Sequence, residues 1–97
     1  MEGTIMTAYV LVEATLRNAE ARDRYLEAVR PVLKQFGGEF LTFGRWHVFY
    51  GEPAYDNGMI ITFPDKDTAL AWYSSPAYQA LLGVRNEGLD SRFRLIG

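Results

Sequence analysis

The chain has 97 residues, of which 48% are hydrophobic and 23% charged, and its net charge is −2 at neutral pH. A chain of this length and composition forms a globular protein with one domain, and the scattered Lys and Arg residues argue against a nucleic-acid partner, which needs clustered positive charge. Since there is no Cys, disulfides and thiolate metal sites are excluded.

The regular sequence pattern begins near Met6. We therefore expect a single domain over residues 6–97 and a disordered extension over residues 1–5. We expect no signal peptide, because no basic segment precedes an apolar run. No apolar run approaches the roughly 18 residues that span a bilayer, so no membrane partner is expected. These features and the absence of Cys predict a cytoplasmic protein.

Residues 8–16 alternate between an apolar face and a mixed face, which predicts the first strand. Asn18 is a typical helix N-cap, and apolar residues then recur at helical spacing up to Phe36. Pro31 lies inside this helix and has no amide proton to donate. We therefore expect a kink or a break near Arg30.

A second strand is predicted over residues 39–43, which are mostly apolar or β-branched. The aromatic segment 46–50 is predicted to continue that strand or to form a further short one, with a bend or bulge at Gly44. Residues 51–58 are rich in turn-forming residues and predict a loop. A third strand is predicted over residues 59–63.

Asp65 is the expected N-cap of a second helix. The pair Ser75 and Pro76 interrupts it, and this pair is typical of an N-cap followed by the first residue of a new helix. The restarted helix is predicted to end at Gly88. Residues 92–96 then predict the final strand.

The order of elements, β-α-β-β-α-β, predicts an α+β protein with a ferredoxin-like fold. Its four-stranded antiparallel sheet carries two helices on one face. The other face is expected to expose large apolar side chains, among them Tyr9, Leu11, Ile60 and Ile96. Because such patches usually mark an interface, we expect a homodimer formed through the open sheet face, with space for a small ligand between the sheets.

Several segments occur in an order that resembles a known family. They include YVLVE at 9–13, FGGEFL at 36–41 and WYSSPAYQ at 72–79, of which the last is the most specific. From Met6 onward the chain resembles the family called domain of unknown function 1330. The resemblance implies a dimeric α/β barrel, a structural class that includes cofactor-free monooxygenases, isomerases and haem-binding enzymes, and it implies no established activity.

The chain departs from the family pattern at two places. At Ala77 the resemblance implies an acidic residue, so no carboxylate role is carried over to this position. At Trp46 and His47 it implies simpler apolar residues. His47 is the single histidine, which excludes metal sites that need two. No metal and no cofactor is predicted; His47 is a candidate ligand contact, with an exposed surface position as the alternative.

The aromatic residues of the helices are the other candidates for a binding site. Tyr25, Trp72 and Tyr78 are predicted to wall a cavity in which their polar tips orient a small ligand. The alternative for each of them is a purely structural place in the core. Arg85 is predicted to hold an anionic substrate, and a surface position is again the alternative.

Glu13 is the predicted catalytic base. It lies on the mixed face of the first strand, where a carboxylate between two sheets would lose water and become a better base. Solvent exposure is the alternative. Two functions stay open: a cofactor-independent oxygenase or isomerase that uses Glu13 and Arg85, and a non-catalytic homodimeric module that binds a metabolite or a protein partner. They are distinguished by whether Glu13, Tyr78 and Arg85 converge on one enclosed cavity.

Overall fold

The strands and helices follow the predicted order. The computed structural model describes residues 7–97, so the predicted extension over residues 1–5 lies outside the described residues. The elements are β1 (Ala8–Leu16), α1 (Ala19–Gln35), β2 (Glu39–Arg45), β3 (Asn57–Phe63), α2 (Lys66–Ser74), α3 (Pro76–Gln79), α4 (Leu82–Gly88) and β4 (Leu89–Ile96). The four strands form one antiparallel sheet in the order β2-β3-β1-β4. This topology confirms the predicted ferredoxin-like fold.

One face of the sheet packs against the helices and holds the core. Val10 and Val12 of β1 and Ile61 of β3 are buried on this face. Alternate residues of a strand point to opposite faces, so Tyr9 and Leu11 lie on the open face. Tyr9 is 40% exposed. The open face is therefore partly apolar, as the alternation predicts.

The first helix begins after its predicted cap, Asn18, and runs through Pro31 to Gln35. The predicted break near Arg30 is therefore wrong. Pro31 removes one intrahelical hydrogen bond, but buried side chains lie on both sides of it, and their packing holds the helix on the core. The buried residues of α1 are Ala21, Tyr25, Val29 and Leu33.

The second strand ends at Arg45, and the predicted strand over residues 46–50 is wrong, because this segment has no regular structure. The ring of Trp46 lies against Gly58 of β3 and fills the space that a Cβ atom at Gly58 would need. Trp46 thus covers the end of β3, while Phe49 and Tyr50 are exposed.

The bulge in β2 lies at Leu41, because the register on β3 shifts between Phe40 and Thr42. The predicted bulge at Gly44 is wrong, since Gly44 pairs in register with a glycine of β3. A one-residue insertion moves every following side chain to the other face of the sheet. The bulge therefore places Phe43 on the face that packs against the helices.

The helix restart at Ser75 is confirmed. The Ser75 Oγ accepts a hydrogen bond from the Tyr78 backbone N at 3.2 Å, and Pro76 is the first residue of α3. The predicted continuous helix up to Gly88 is wrong, since α3 and α4 are separate. The Leu81 N donates to the Tyr78 carbonyl at 2.8 Å, a tight three-residue bond that ends α3.

The last strand begins at Leu89, earlier than the predicted Arg92. Its start is fixed by Gly88, where α4 meets the beginning of α1. The Gly88 carbonyl accepts a hydrogen bond from the Arg17 N at 2.8 Å, and a Cβ atom at Gly88 would lie only 2.7 Å from the Cα of Arg22. Gly88 thus allows a close approach of two backbones.

Candidate functional site

Three tyrosines and one arginine meet on the helix side of the sheet. The hydroxyl oxygens of Tyr25 in α1 and Tyr78 in α3 are 2.8 Å apart. The Arg85 Nη1 in α4 donates to the Tyr78 hydroxyl at 3.2 Å and to the Tyr73 hydroxyl at 3.0 Å. We call these four residues the tyrosine–arginine cluster. The structure thus brings together three of the predicted site residues, Tyr25, Tyr78 and Arg85.

One hydrogen-bond direction in the cluster follows from the chemistry of its groups. A guanidinium can only donate, so the Tyr78 oxygen accepts from Arg85. In the hydrogen bond between Tyr25 and Tyr78, either hydroxyl can be the donor. Tyr78 thus joins the Tyr25 hydroxyl to the positive charge of Arg85.

Both buried tyrosines keep their protons near neutral pH. Burial raises the pKa of Tyr25 far above its ordinary value, and the neighbouring Tyr78 raises it further. Burial also raises the pKa of Tyr78, although the hydrogen bonds with Tyr25 and Arg85 act in the opposite direction. Burial lowers the pKa of Arg85, but its hydrogen bonds to Tyr73 and Tyr78 outweigh this and leave it raised. The cluster is therefore a set of hydrogen-bond donors around one positive charge.

Alkaline unfolding should report the raised pKa values of Tyr25 and Tyr78. Their ordinary pKa, 10.0, applies in the unfolded chain, so the stability they contribute is complete below that pH and is lost as the pH rises above it. We expect the free energy of unfolding to fall by up to about 1.4 kcal/mol per pH unit for each tyrosine. Urea unfolding at a series of pH values measures this slope. Y25F should lose about half of it, and a wild-type stability that does not change above that pH would contradict the prediction.

A cavity of about 430 Å³ lies between α1 and the sheet, and Tyr25 is part of its lining. We call it the first cavity. Its volume falls within the range of small-molecule sites, and its walls are mostly apolar. The polar side chains at its edge include Asp23 and Asn57. Apolar side chains of the lining include Val12, Val29, Phe40, Phe43, Met59 and Phe93.

Of the residues that line this cavity, only Tyr25 was predicted as a site residue. Phe40 and Phe43 reach the cavity from β2, Met59 from β3 and Phe93 from β4. Phe93 could have been predicted as a lining residue, because it pairs with buried Val12 of β1 and lies on the same face of the sheet as Val12. Phe43 could not have been found by alternation, because the bulge reverses its side of the sheet.

Trp72 is part of the core, at 1% exposure. Its ring packs on Phe63 and Tyr78, with centroid distances of 5.2 Å and 4.4 Å. Its Nε1–H is buried and has no hydrogen-bond acceptor within residues 7–97. A buried donor without an acceptor costs about 1–3 kcal/mol, which makes this atom one of the notable features of the site.

Glu13 lies on the opposite side of the sheet from the tyrosine–arginine cluster. Its neighbour Val12 is buried on the helix side, so Glu13 points to the open face. There its Oε1 accepts hydrogen bonds from the Arg92 Nε at 3.2 Å and from the Arg94 Nη2. Within the single chain, Glu13 therefore does not meet Tyr78 and Arg85 in one cavity. The physical reason is the two-residue period of a strand, which puts the sheet between them.

His47 lies in the irregular segment after β2, and its side chain is exposed. Its ring meets that of Phe49 edge-on, with a centroid distance of 5.2 Å. The first cavity is lined by other residues. The predicted role of His47 as a ligand contact stays a prediction.

The described part of the chain offers little besides hydroxyl, guanidinium and carboxylate chemistry. Within residues 7–97, no three His, Asp or Glu side chains are grouped so that they could hold a metal ion. None of the helices in this range has the length and apolar character needed to cross a membrane.

A family model described as "Domain of unknown function (DUF1330)" matches residues 7–97. The chain belongs to this family. The resemblance carried by the segment at 72–79 is thereby confirmed. No curated protein matches the chain. Membership of the DUF1330 family thus identifies relatives of this chain but indicates no activity.

Solved structures of similar shape come from several bacteria. A protein of unknown function from Rhodopseudomonas palustris has a TM-score of 0.77 and 20% identity, and the match covers 96% of this chain and 82% of that chain. SnoaB, a cofactor-independent oxygenase from Streptomyces nogalater, has a TM-score of 0.69 and 11% identity over 95% and 92% of the two chains. A dimeric ferredoxin-like protein from Thermobifida fusca has a TM-score of 0.64 and 14% identity over 100% and 95%. At these identities the likeness shows the fold of the DUF1330 chain alone.

Proposed function

We propose that this protein is a homodimeric, cofactor-independent enzyme that acts on a small, mostly apolar molecule in the first cavity. The observation that carries the proposal is that Tyr25 both lines the apolar first cavity and belongs, through its hydroxyl, to the tyrosine–arginine cluster. A hydrogen-bond donor in an apolar site stabilises negative charge on a substrate oxygen. The fold shared with SnoaB, a cofactor-independent oxygenase, supports the reaction class.

The substrate that fits this arrangement is an enolisable aromatic ketone. When it loses a proton from the carbon next to the carbonyl group, the negative charge moves onto the carbonyl oxygen, where the Tyr25 hydroxyl donates to it. A base must take the carbon proton. Asp23 supplies a carboxylate to the lining of the same cavity and is assigned this role. Tyr78 and Arg85 act through Tyr25 as positioning residues.

Two reactions can follow from the same enolate. In an isomerisation, Asp23 returns the proton to a different carbon. In an oxygenation, the enolate carbon reacts with O₂: the CH₂ group is oxidised to a carbonyl, one oxygen atom is retained and the other leaves as water. Both reactions balance without a bound cofactor, so the initial proton transfer is the step to test first.

The homodimer is proposed to form through the open sheet face. Tyr9, Leu11, Ile60 and Ile96 provide apolar surface there, and Ile96 is 62% exposed. The ion pairs of Glu13 with two arginines lie on the same face and become part of the interface. The fold shared with a dimeric ferredoxin-like protein from Thermobifida fusca supports a dimer.

One observation favours the alternative, a binding module without catalysis. The carboxylate predicted as the base, Glu13, is separated from the tyrosine–arginine cluster by the sheet, and Asp23 is largely exposed and paired with Arg22 at 2.7 Å. A module of this kind would hold the same apolar, oxygen-bearing ligand through Tyr25. It would not accelerate proton transfer.

Deuterium exchange into β-tetralone distinguishes the two functions. We expect the wild-type protein in D₂O to accelerate exchange of the protons next to the carbonyl group, as followed by proton NMR. Y25F removes the donor and should slow the exchange by about 10²–10³-fold. D23N removes the base and should slow it by about 10²–10⁴-fold.

Y9F is the matched control, because it removes a hydroxyl from the open face and leaves the first cavity intact. It should exchange at the wild-type rate. Exchange that is unchanged in Y25F would exclude the proposed oxyanion donor. Binding of β-tetralone without acceleration, seen as shifts of its resonances, would support the binding module.

A further inference from the structure

A second cavity, of about 360 Å³, lies near the edge strand β4. We call it the second cavity. Apolar side chains dominate its wall, and Arg85 contributes a positive charge to it. Phe93 lines both cavities, so its ring belongs to the wall between them. The two cavities are separate spaces on either side of the tyrosine–arginine cluster.

Arg85 carries its charge without an acidic partner. Within residues 7–97 it forms no ion pair with an Asp or Glu side chain. Its guanidinium instead lies over aromatic rings, at 4.8 Å from the Phe93 centroid and 5.9 Å from that of Tyr73. A partly buried cation among rings and hydroxyls is poorly solvated, and an anion placed next to it is stabilised.

The Arg85 guanidinium also has N–H groups that form no hydrogen bond in the described part of the chain. Its Nε donates to the Asn86 Oδ1 at 3.2 Å, and its Nη1 donates to the two tyrosine hydroxyls. In the described part of the chain, the Nη2 has no acceptor within hydrogen-bond distance. The two N–H groups of Nη2 are therefore available to a ligand in the second cavity, and a carboxylate is the group that accepts from a guanidinium best.

We propose that the second cavity binds a compact carboxylate with an aromatic body, held by Arg85. The carboxylate accepts from the guanidinium, and the body lies among Leu70, Trp72 and Leu95 in the apolar wall. Trp72, whose buried Nε1–H has no acceptor within residues 7–97, is part of this wall. This site goes beyond the proposed function, because it lies across Phe93 from the first cavity and needs no reaction there.

The probe for this site is benzoate, followed by the indole N–H signals of the two tryptophans in nitrogen–proton correlation spectra. We expect benzoate to shift the Trp72 signal in a saturable manner and to leave that of Trp46 unchanged, since Trp46 lies on the open face. Benzamide has the same shape without the charge and should bind at least tenfold more weakly. Equal binding of benzamide and benzoate, or a Trp72 signal that does not move, would overturn the proposal.

Variants locate the site. R85M should weaken benzoate binding at least tenfold, because a hydrogen-bonded charge pair is lost. R24M removes a surface charge of the same sign and should bind benzoate like the wild type. L70W changes a half-exposed residue of the wall and should block the cavity by volume even if R85M does not fold. Wild-type affinity in R85M or in L70W would refute the site.

A further variant tests the proposed function separately from the carboxylate site. L26W fills the first cavity, since Leu26 lines that cavity and not the second. It should abolish exchange into β-tetralone and leave benzoate binding unchanged. Loss of both in L26W would show that the two cavities form one site and would overturn the proposal of a separate carboxylate site.

Discussion

Gly88→Ala is expected to destabilise the protein by about 1–3 kcal/mol or more, while Gly83→Ala in the same helix stabilises it by about 0.4–1 kcal/mol. At Gly88 the new Cβ atom would lie 2.7 Å from the Arg22 Cα and 2.9 Å from the Ala21 carbonyl carbon. Both are backbone atoms and cannot rotate away. At Gly83 the new Cβ would meet no heavy atom within 4 Å other than those of its chain neighbours and of its own helix backbone, and alanine favours the helix.

The Gly88→Ala substitution is also expected to change the positions of residues in the tyrosine–arginine cluster. Relief of the clash requires α4 to move away from α1, and α4 carries Arg85 while α1 carries Tyr25. Urea unfolding of both alanine variants measures the difference in stability. Benzoate binding by G88A should also weaken, because Arg85 moves. Equal stabilities of G88A and G83A would show that the two helices do not pack as closely as described.

Leu11→Lys is expected to convert the proposed dimer into a monomer. Leu11 lies on the open face in the central strand β1, between Ile60 and Arg94 of the neighbouring strands. In a sheet-to-sheet dimer, Lys at this position is a buried charge without a partner, which costs about 3–5 kcal/mol. A twofold interface contains the substitution twice, so the dissociation constant should rise by at least about a hundredfold. Sedimentation velocity over a range of concentrations measures this.

The control for Leu11→Lys is Leu70→Lys. Leu70 is half-exposed on α2, on the helix side of the molecule, and its substitution should leave the dimer intact. Circular dichroism shows whether each variant is folded. A folded L11K protein that stays dimeric would exclude the open face as the interface. The exposed aromatic segment around Phe49 would then be the surface to examine.

Local sequence signals predicted most of the fold. The first strand follows from strict alternation of side chains over Ala8–Leu16, and its bounds agree with the structure. Asn18, Asp65 and Ser75 each cap a helix through a side-chain oxygen that accepts from a backbone N–H. These signals depend on neighbours within three or four residues, which is why they can be read from the sequence.

The errors arose where distant residues decide the local structure. Trp46 has a high strand propensity, but its ring lies on Gly58 of another strand and pairing ends there. Pro31 normally breaks a helix, but the core under α1 holds both halves. The bulge at Leu41 depends on the register with β3, for which the sequence of β2 contains no signal.

The site could be predicted only in part, for the same reason. The composition of the helices indicated Tyr25, Tyr78 and Arg85, and the structure brings them together. Glu13 was predicted to act with these residues because a cavity between two sheets was assumed. The first cavity instead lies between α1 and the sheet, and a strand residue of the other face cannot reach it.

The Ser75 hydroxyl explains how the aromatic part of the site keeps its shape. It donates to the Trp72 carbonyl at 2.8 Å and accepts from the Tyr78 N at 3.2 Å, so one atom joins the end of α2 to the start of α3. The Trp72 and Tyr78 rings, six positions apart, are thereby set at 4.4 Å by short-range bonds. The turn and the two rings thus lie within eight residues, 72–79, so loss of the Ser75 hydroxyl is expected to change the distance between the rings as well as the joint between the helices.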